Sequence, residues 1–247
     1  MHDLKKGSGI IMLFDILRGS GSVAEKITTL LLVVITTLIS LTVHEVCHGY
    51  AALKCGDPTA RNFGRLTLDP RKHLDPLGTI AMLLFGFGWA KPVPVNSRYF
   101  KKPRRDMALT AAAGPASNFV LAFFAAGFML LTQLFTYFII GRTGSAEGFG
   151  VNVLVILNMF FYYFHRLNLT LAVFNLIPVP PLDGSRIFLV FLPPKLYFGV
   201  MKYEQYISFA LIILLYTGVL SGFLSTVANA ISGAFFWVWQ LIPIFGA

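Results

Sequence analysis

Charge is scarce in this sequence. Asp, Glu, Lys and Arg make up 13% of its 247 residues, while 56% are hydrophobic. A soluble domain of such length carries roughly twice that charge. The apolar stretches are too long and too little interrupted for a water-soluble fold with a greasy core, so lipid is the expected solvent. Acidic residues are the scarcer charged class, 11 against 20 Lys and Arg, for a formal net charge of +9. On a soluble protein that excess would raise nucleic-acid binding. Here the basic residues sit between apolar spans, where they act as topology signals and contacts for anionic lipid, and no nucleic-acid partner is expected. Cysteine is nearly missing: Cys47 and Cys55 are the two present. On a continuous helix they are separated by a rise of about 12 Å, beyond disulfide reach. A disulfide framework and a cysteine-rich metal knuckle are thereby excluded. The sequence shows no internal repeat, no low-complexity tract and no appended soluble domain.

What fills the chain is a series of apolar runs, and these predict an all-α membrane protein, a polytopic transmembrane helix bundle. The first span covers about Val23 to Cys55, with an apolar centre and the polar cluster His44, Glu45 and His48 near its end. Residues 54–76 carry the turn formers Gly56-Asp57-Pro58, Asp69-Pro70 and Asp75-Pro76 and read as a polar loop. Leu77 to Ala90 is apolar, short for a span, and leads into Trp89-Ala90-Lys91-Pro92-Val93-Pro94-Val95. Its two prolines forbid a regular helix and point to a re-entrant element or membrane-edge hairpin. A basic surface loop over residues 96–106 precedes a second span, about Met107 to Ile140. The third is about Val151 to Ile177, and two more are expected at about Tyr203 to Leu220 and Phe223 to Ile244. The expected architecture is thus about five spans plus the hairpin element. It divides into an N-terminal interfacial segment (1–22), a transmembrane core with the polar cluster (23–190) and C-terminal transmembrane helices (191–247). The mildly apolar stretch Ile10 to Leu17, broken by Asp15, reads as an interfacial helix rather than a cleaved signal.

Eleven of the 20 Lys and Arg lie between residues 54 and 105, and Arg186, Lys195 and Lys202 follow the third span. Both groups fall on the same side of a five-span bundle, and the positive-inside rule makes that side cytoplasmic. Lys5, Lys6 and Arg18 at the other side run against it. The expected placement is a multi-pass protein of the cell (inner) membrane with its site toward the cytoplasm.

His44-Glu45-Val46-Cys47-His48 is an H-E-x-x-H motif. Histidines at i and i+4 share a helix face, so both imidazoles reach one metal ion. The intervening Glu takes a proton from water beside that metal. Such charge at the end of an apolar span is expensive, which makes function the default reading. A third protein ligand is needed, with a fourth position open to water. Asp183 lies in Asn175-Leu176-Ile177-Pro178-Val179-Pro180-Pro181-Leu182-Asp183-Gly184, directly after the third span. The prolines let the chain fold back toward the first span and Gly184 permits a tight turn. Taken alone, Asp-Gly is equally a simple turn.

These motifs together resemble the site-2 protease family of intramembrane zinc metalloproteases. His44-Glu45-x-x-His48 matches its zinc-binding helix, and Asn175 through Gly184 its Asn-x-x-Pro-x-x-Pro-Leu-Asp-Gly segment. Gly114-Pro115-Ala116-Ser117-Asn118 matches its small-residue motif in the middle core helix, and Gly88 through Asn96 resembles the hairpin of its compact bacterial-type members. The likeness covers about residues 23 to 190. It implies one Zn²⁺ per chain held by His44, His48 and Asp183, and Glu45 as the catalytic base. It also implies regulated cleavage of membrane-spanning proteins or peptides, often membrane-tethered regulators or signal-peptide remnants. The PDZ and CBS modules of larger members are lacking, and the oligomeric state is left open.

Asn175 has two readings, a catalytic amide that orients substrate or stabilises an oxyanion, and interhelical glue. Asn168 is expected to be structural. Gly114, Ala116 and Ser117 are expected to permit close helix approach, and Asn118 either packs or touches substrate. His165 and Arg166 sit mid-span, where a lone His is more often hydrogen-bonded core than ligand. His73 is expected to face water, and Cys47 to be a small helix filler. An extended edge at Pro92 to Asn96 is expected to pair with an unwound substrate strand. The alternative function is a metal-binding membrane transporter or sensor without proteolytic activity. A transporter calls for paired repeats or an acidic relay through several spans, and neither is present in the sequence.

Overall fold

The computed structural model describes residues 20–78 and 90–245. The expected interfacial helix at Ile10 to Leu17 and most of the element at Leu77 to Ala90 lie outside the described residues. Within them the architecture is helical, and the sole extended pairing is an isolated antiparallel bridge between Leu74 and Ala90. The helices are α1 (Val23–Lys54), α2 (Thr59–Asn62), α3 (Pro103–Thr143), α4 (Phe149–Asn175), α5 (Asp183–Phe188), α6 (Pro194–Lys202), α7 (Glu204–Tyr216) and α8 (Val219–Gln240). Short 3-10 turns form at Pro70–Lys72, Ser97–Tyr99 and Leu189–Phe191.

α1 begins at a capping box: Ser22 Oγ accepts from the Glu25 N–H, and Glu25 Oε2 accepts from the Ser22 N–H. Its hydroxyls do not interrupt the apolar run. Thr36, Thr37 and Ser40 donate to carbonyls three or four residues back and stay buried. α3 starts at Pro103, where the missing N–H costs nothing. It runs 41 residues, roughly 60 Å at 1.5 Å per residue. That is about twice a hydrocarbon core, and the helix continues through Pro115 to a left-handed Gly144 at φ 66°.

Among the described residues three helices, α1, α3 and α8, are long and apolar enough to cross a membrane. Large apolar side chains such as Leu31, Ile35, Phe124 and Phe128 are exposed on them, as lipid contact requires. α4, the expected third span, has 27 residues but carries Asn152, Asn158, His165, Arg166 and Asn168. The expected fourth span is shorter than its apolar run. α7 holds 13 residues, about 20 Å, because Gly218 turns left-handed at φ 73° and separates it from α8. The expected polar loop after α1 contains α2 and a 3-10 turn, and the irregular proline region contains α5 and α6, with Pro194 opening the latter.

α4 packs along α3, and α1 lies against both. Alanines let Leu169 of α4 pack between neighbours: with Ala122 of α3 and Ala228 of α8 it forms a buried cluster, flanked by Phe119, Ile231 and Phe235. α5 packs on α3, which returns the chain after the prolines to the far end of α1.

Candidate metal centre

His44 and His48 stand one turn apart on the α1 face that meets α3, and both are buried. Asp183 opens α5. Its Oδ2 lies 3.2 Å from His44 Nε2 and 3.2 Å from His48 Nε2, and the two Nε2 atoms are 3.0 Å apart. Three ligand atoms from residues far apart in sequence thus converge on one point.

The protons show what this point attracts. His48 Nδ1 donates to the Thr110 carbonyl at 2.7 Å, and a carbonyl can only accept. His44 Nδ1 lies 2.6 Å from Asn118 Oδ1, likewise an acceptor. With Nδ1 carrying the proton on each ring, both Nε2 atoms present lone pairs, and the buried Asp183 Oδ2 has no hydrogen-bond partner. Three lone pairs at such separations repel unless a cation sits among them. Tetrahedral zinc with N and O ligands at 2.0–2.1 Å would hold its ligands roughly 3.3 Å apart, close to the spacing found. The residues fit the ion.

Two glycines bring the walls in. A Cβ on Gly114 would lie 2.4 Å from His48 Nε2 and 2.7 Å from His44 Cε1, so α3 can approach the rings only without a side chain there. A Cβ on Gly184 would lie 2.4 Å from the carbonyl oxygens of both Leu176 and Ile177. The expected reason for Gly184, a turn conformation, is corrected: it is helical, and what it supplies is close approach of backbone to backbone. Pro115 leaves the Ala111 carbonyl without its helical donor, beside the Thr110 carbonyl that receives His48.

Glu45, half-buried, accepts the Val93 N–H on Oε2 at 2.8 Å. Val93 is buried between Pro92 and Pro94, which have no N–H. At this point the extended segment therefore holds Glu45, and the N–H of Val93 is not free for a substrate strand. The segment is fixed at both ends: the Asn96 N–H donates to Asp57 Oδ2 at 2.6 Å, and the Lys91 N–H to the His73 carbonyl at 2.8 Å. His73 is buried, against the expectation that it faces water. Its Nε2–H donates to the Thr67 carbonyl as the loop folds against residues 90–96.

Asn175, the last residue of α4, is half-buried and donates Nδ2 to the Leu171 carbonyl at 3.0 Å. It is not among the three converging groups. His165 is buried between the Ala122 carbonyl and Ser232 Oγ, and Arg166 donates to Asn229 Oδ1, so this pair fastens α4 to α3 and α8. Cys47 and Cys55 are unpaired thiols. The partners that sequence reading missed are Asn118, the Thr110 carbonyl and the Val93 N–H. The usable signal was Asn118 itself, an uncharged polar group in the interior of a long apolar run, where it needs a bonded partner.

Comparison with known proteins points to a family of zinc metalloproteases. The family model described as Peptidase family M50 matches residues 31–216. The protein named "Putative zinc metalloprotease YwhC" from Bacillus subtilis (strain 168) is 45% identical over 197 residues, covering 80% of this chain and 85% of its own. Two proteins named "Putative zinc metalloprotease Rip2" are more distant. That of Mycobacterium tuberculosis (strain H37Rv) is 29% identical, covering 83% of this chain and 71% of its own. That of Mycolicibacterium smegmatis is 28% identical, covering 77% and 69%. No solved structure gives a significant match. The chain belongs to peptidase family M50, the site-2 protease family of zinc metalloproteases.

Proposed function

We propose that this chain is an intramembrane endopeptidase that hydrolyses peptide bonds of transmembrane proteins or peptides, with one Zn²⁺ held by His44, His48 and Asp183. The observation that carries the reading is the convergence of His44 Nε2, His48 Nε2 and an Asp183 carboxylate oxygen without a hydrogen-bond partner, with Glu45 next to His44 in the sequence. A Zn²⁺ held by these residues would supply Lewis-acid polarisation of a peptide carbonyl and would bring the pKa of water toward ~7. Glu45 accepts a proton from the attacking water and returns it to the departing amine. The Val93 N–H fixes its Oε2, and we assign the proton transfer to Oε1. The rings of His44 and His48, each bonded at Nδ1, hold their direction through the reaction. Asn175 spends one amide hydrogen on Leu171, and the second is the donor we assign to the developing oxyanion.

We read α4 and the apolar run containing α7 as crossings beside α1, α3 and α8, and the positive-inside rule then supports a site near the cytoplasmic face. His48 is six residues, about 9 Å, from the start of the basic stretch at Lys54. The test is Glu45→Gln. Purified in detergent, it should keep wild-type zinc content and lose at least about 100-fold in cleavage of a transmembrane reporter. Retained cleavage removes the mechanism, and mass spectrometry of the wild-type products locates the cut within the reporter.

A further inference from the structure

We infer that Asn118 is a positioning residue for the metal centre, and that its direction is set from across the bundle by Asn168 and Ser40. This rests on the metal reading above. Ser40, Asn118 and Asn168 are each 0% exposed, so water does not compete for their bonds. The chain they form runs one way, because it ends on two backbone carbonyls, which only accept. Ser40 Oγ–H donates to the Thr36 carbonyl at 2.7 Å, leaving its oxygen to accept from Asn168 Nδ2 at 2.8 Å. The same Nδ2 donates to the Phe164 carbonyl at 2.8 Å. Asn168 cannot reverse its amide without setting oxygen against oxygen, so its Oδ1 faces α3 and accepts from Asn118 Nδ2 at 2.7 Å. Asn118 must then offer Oδ1 to His44 Nδ1, 2.6 Å away. An acceptor at that place keeps the ring proton on Nδ1 and presents the Nε2 lone pair to the metal. The two histidines are oriented by different means: His48 by a backbone carbonyl that no substitution removes, His44 by an amide that is free to flip once Asn168 is gone.

Packing would need only the size of Asn168, whereas positioning needs its polarity. The experiment uses the full chain in detergent, with zinc affinity from chelator competition and the ligand-field spectrum of the Co²⁺-loaded protein as readouts. In Asn168→Leu, Asn118 loses its acceptor and turns Nδ2 toward His44. Zinc affinity should fall about 10- to 100-fold, the range for loss of an outer partner, and the Co²⁺ spectrum should shift. Adding Asn118→Asp, whose two oxygens both accept, should restore affinity and spectrum. Unchanged affinity in Asn168→Leu, or a loss that Asn118→Asp fails to rescue, overturns the inference while the metal reading stands. A wild-type chain that takes up neither ion overturns the metal reading as well. Should Asn168→Leu not fold, the ¹⁵N shifts of His44 in metal-free wild-type protein decide: a proton on Nδ1 supports the inference, and a ring protonated on Nε2 alone overturns it.

Discussion

At Gly114 the absence of one carbon atom decides whether α3 can lie against the rings of His44 and His48. Gly114→Ala puts a methyl group 2.4 Å from His48 Nε2. The expected result is a loss of zinc affinity of about tenfold or more, in line with disturbance of ligand orientation. The control is Gly141→Ala on the same helix, where an added Cβ meets nothing within 4 Å, and zinc affinity should hold. Equal behaviour of the two variants in a zinc titration would contradict the close-approach account. Gly184→Ala strikes the Leu176 and Ile177 carbonyls instead and displaces Asp183, so it should lower zinc affinity although it touches no histidine.

Among the elements, the segment from Pro92 to Asn96 behaves differently from a free edge. Proline on both sides of Val93 leaves that residue's N–H as the donor between them, and Glu45 takes it. Val93→Pro removes the donor. Turnover of a transmembrane reporter should fall by about tenfold or more, since loss of one charge-assisted hydrogen bond is worth roughly 1.5–3 kcal/mol. Zinc content should not change, because neither His44, His48 nor Asp183 bonds to this segment in the described residues. Turnover equal to wild type would show that the base is held by something else. α8 depends on α3 in a comparable way. Trp239 Nε1 donates to the Phe123 carbonyl at 2.8 Å, and its ring lies 2.5 Å from where a Gly127 Cβ would stand. Gly127→Leu should therefore lower the unfolding temperature while leaving zinc affinity intact, as thermal melts and metal titration would report.

For the molecule as a whole, an ion held by His44, His48 and Asp183 would join α1 and α5, two elements more than a hundred residues apart in sequence. A ligand that binds only the folded state stabilises it by about 2.7 kcal/mol at a concentration 100 times its Kd. Chelation should lower the unfolding temperature in detergent, and added zinc should restore it. His44→Ala should show no response to either treatment; a melting temperature indifferent to zinc in the wild type would argue against a shared ion.

Much of this was legible in the order of residues. Apolar runs located α1, α3, α4 and α8 to within a few positions, since the hydrocarbon core demands about 20 consecutive apolar residues. The i, i+4 spacing placed His44 and His48 on one face, since 3.6 residues make a turn. Helix ends set by single conformations were less visible: Gly218 cut α7 short within a continuous apolar run. Asn168 read as structural and Asn118 as packing or substrate contact, because hydrogen-bond direction depends on which carbonyl stands opposite, and sequence does not state that. The linear chain determined which helices form and which groups are able to hold a metal. The packing of α1, α3 and α4 decided which proton each group carries, because a buried polar atom takes its role from the neighbour it faces.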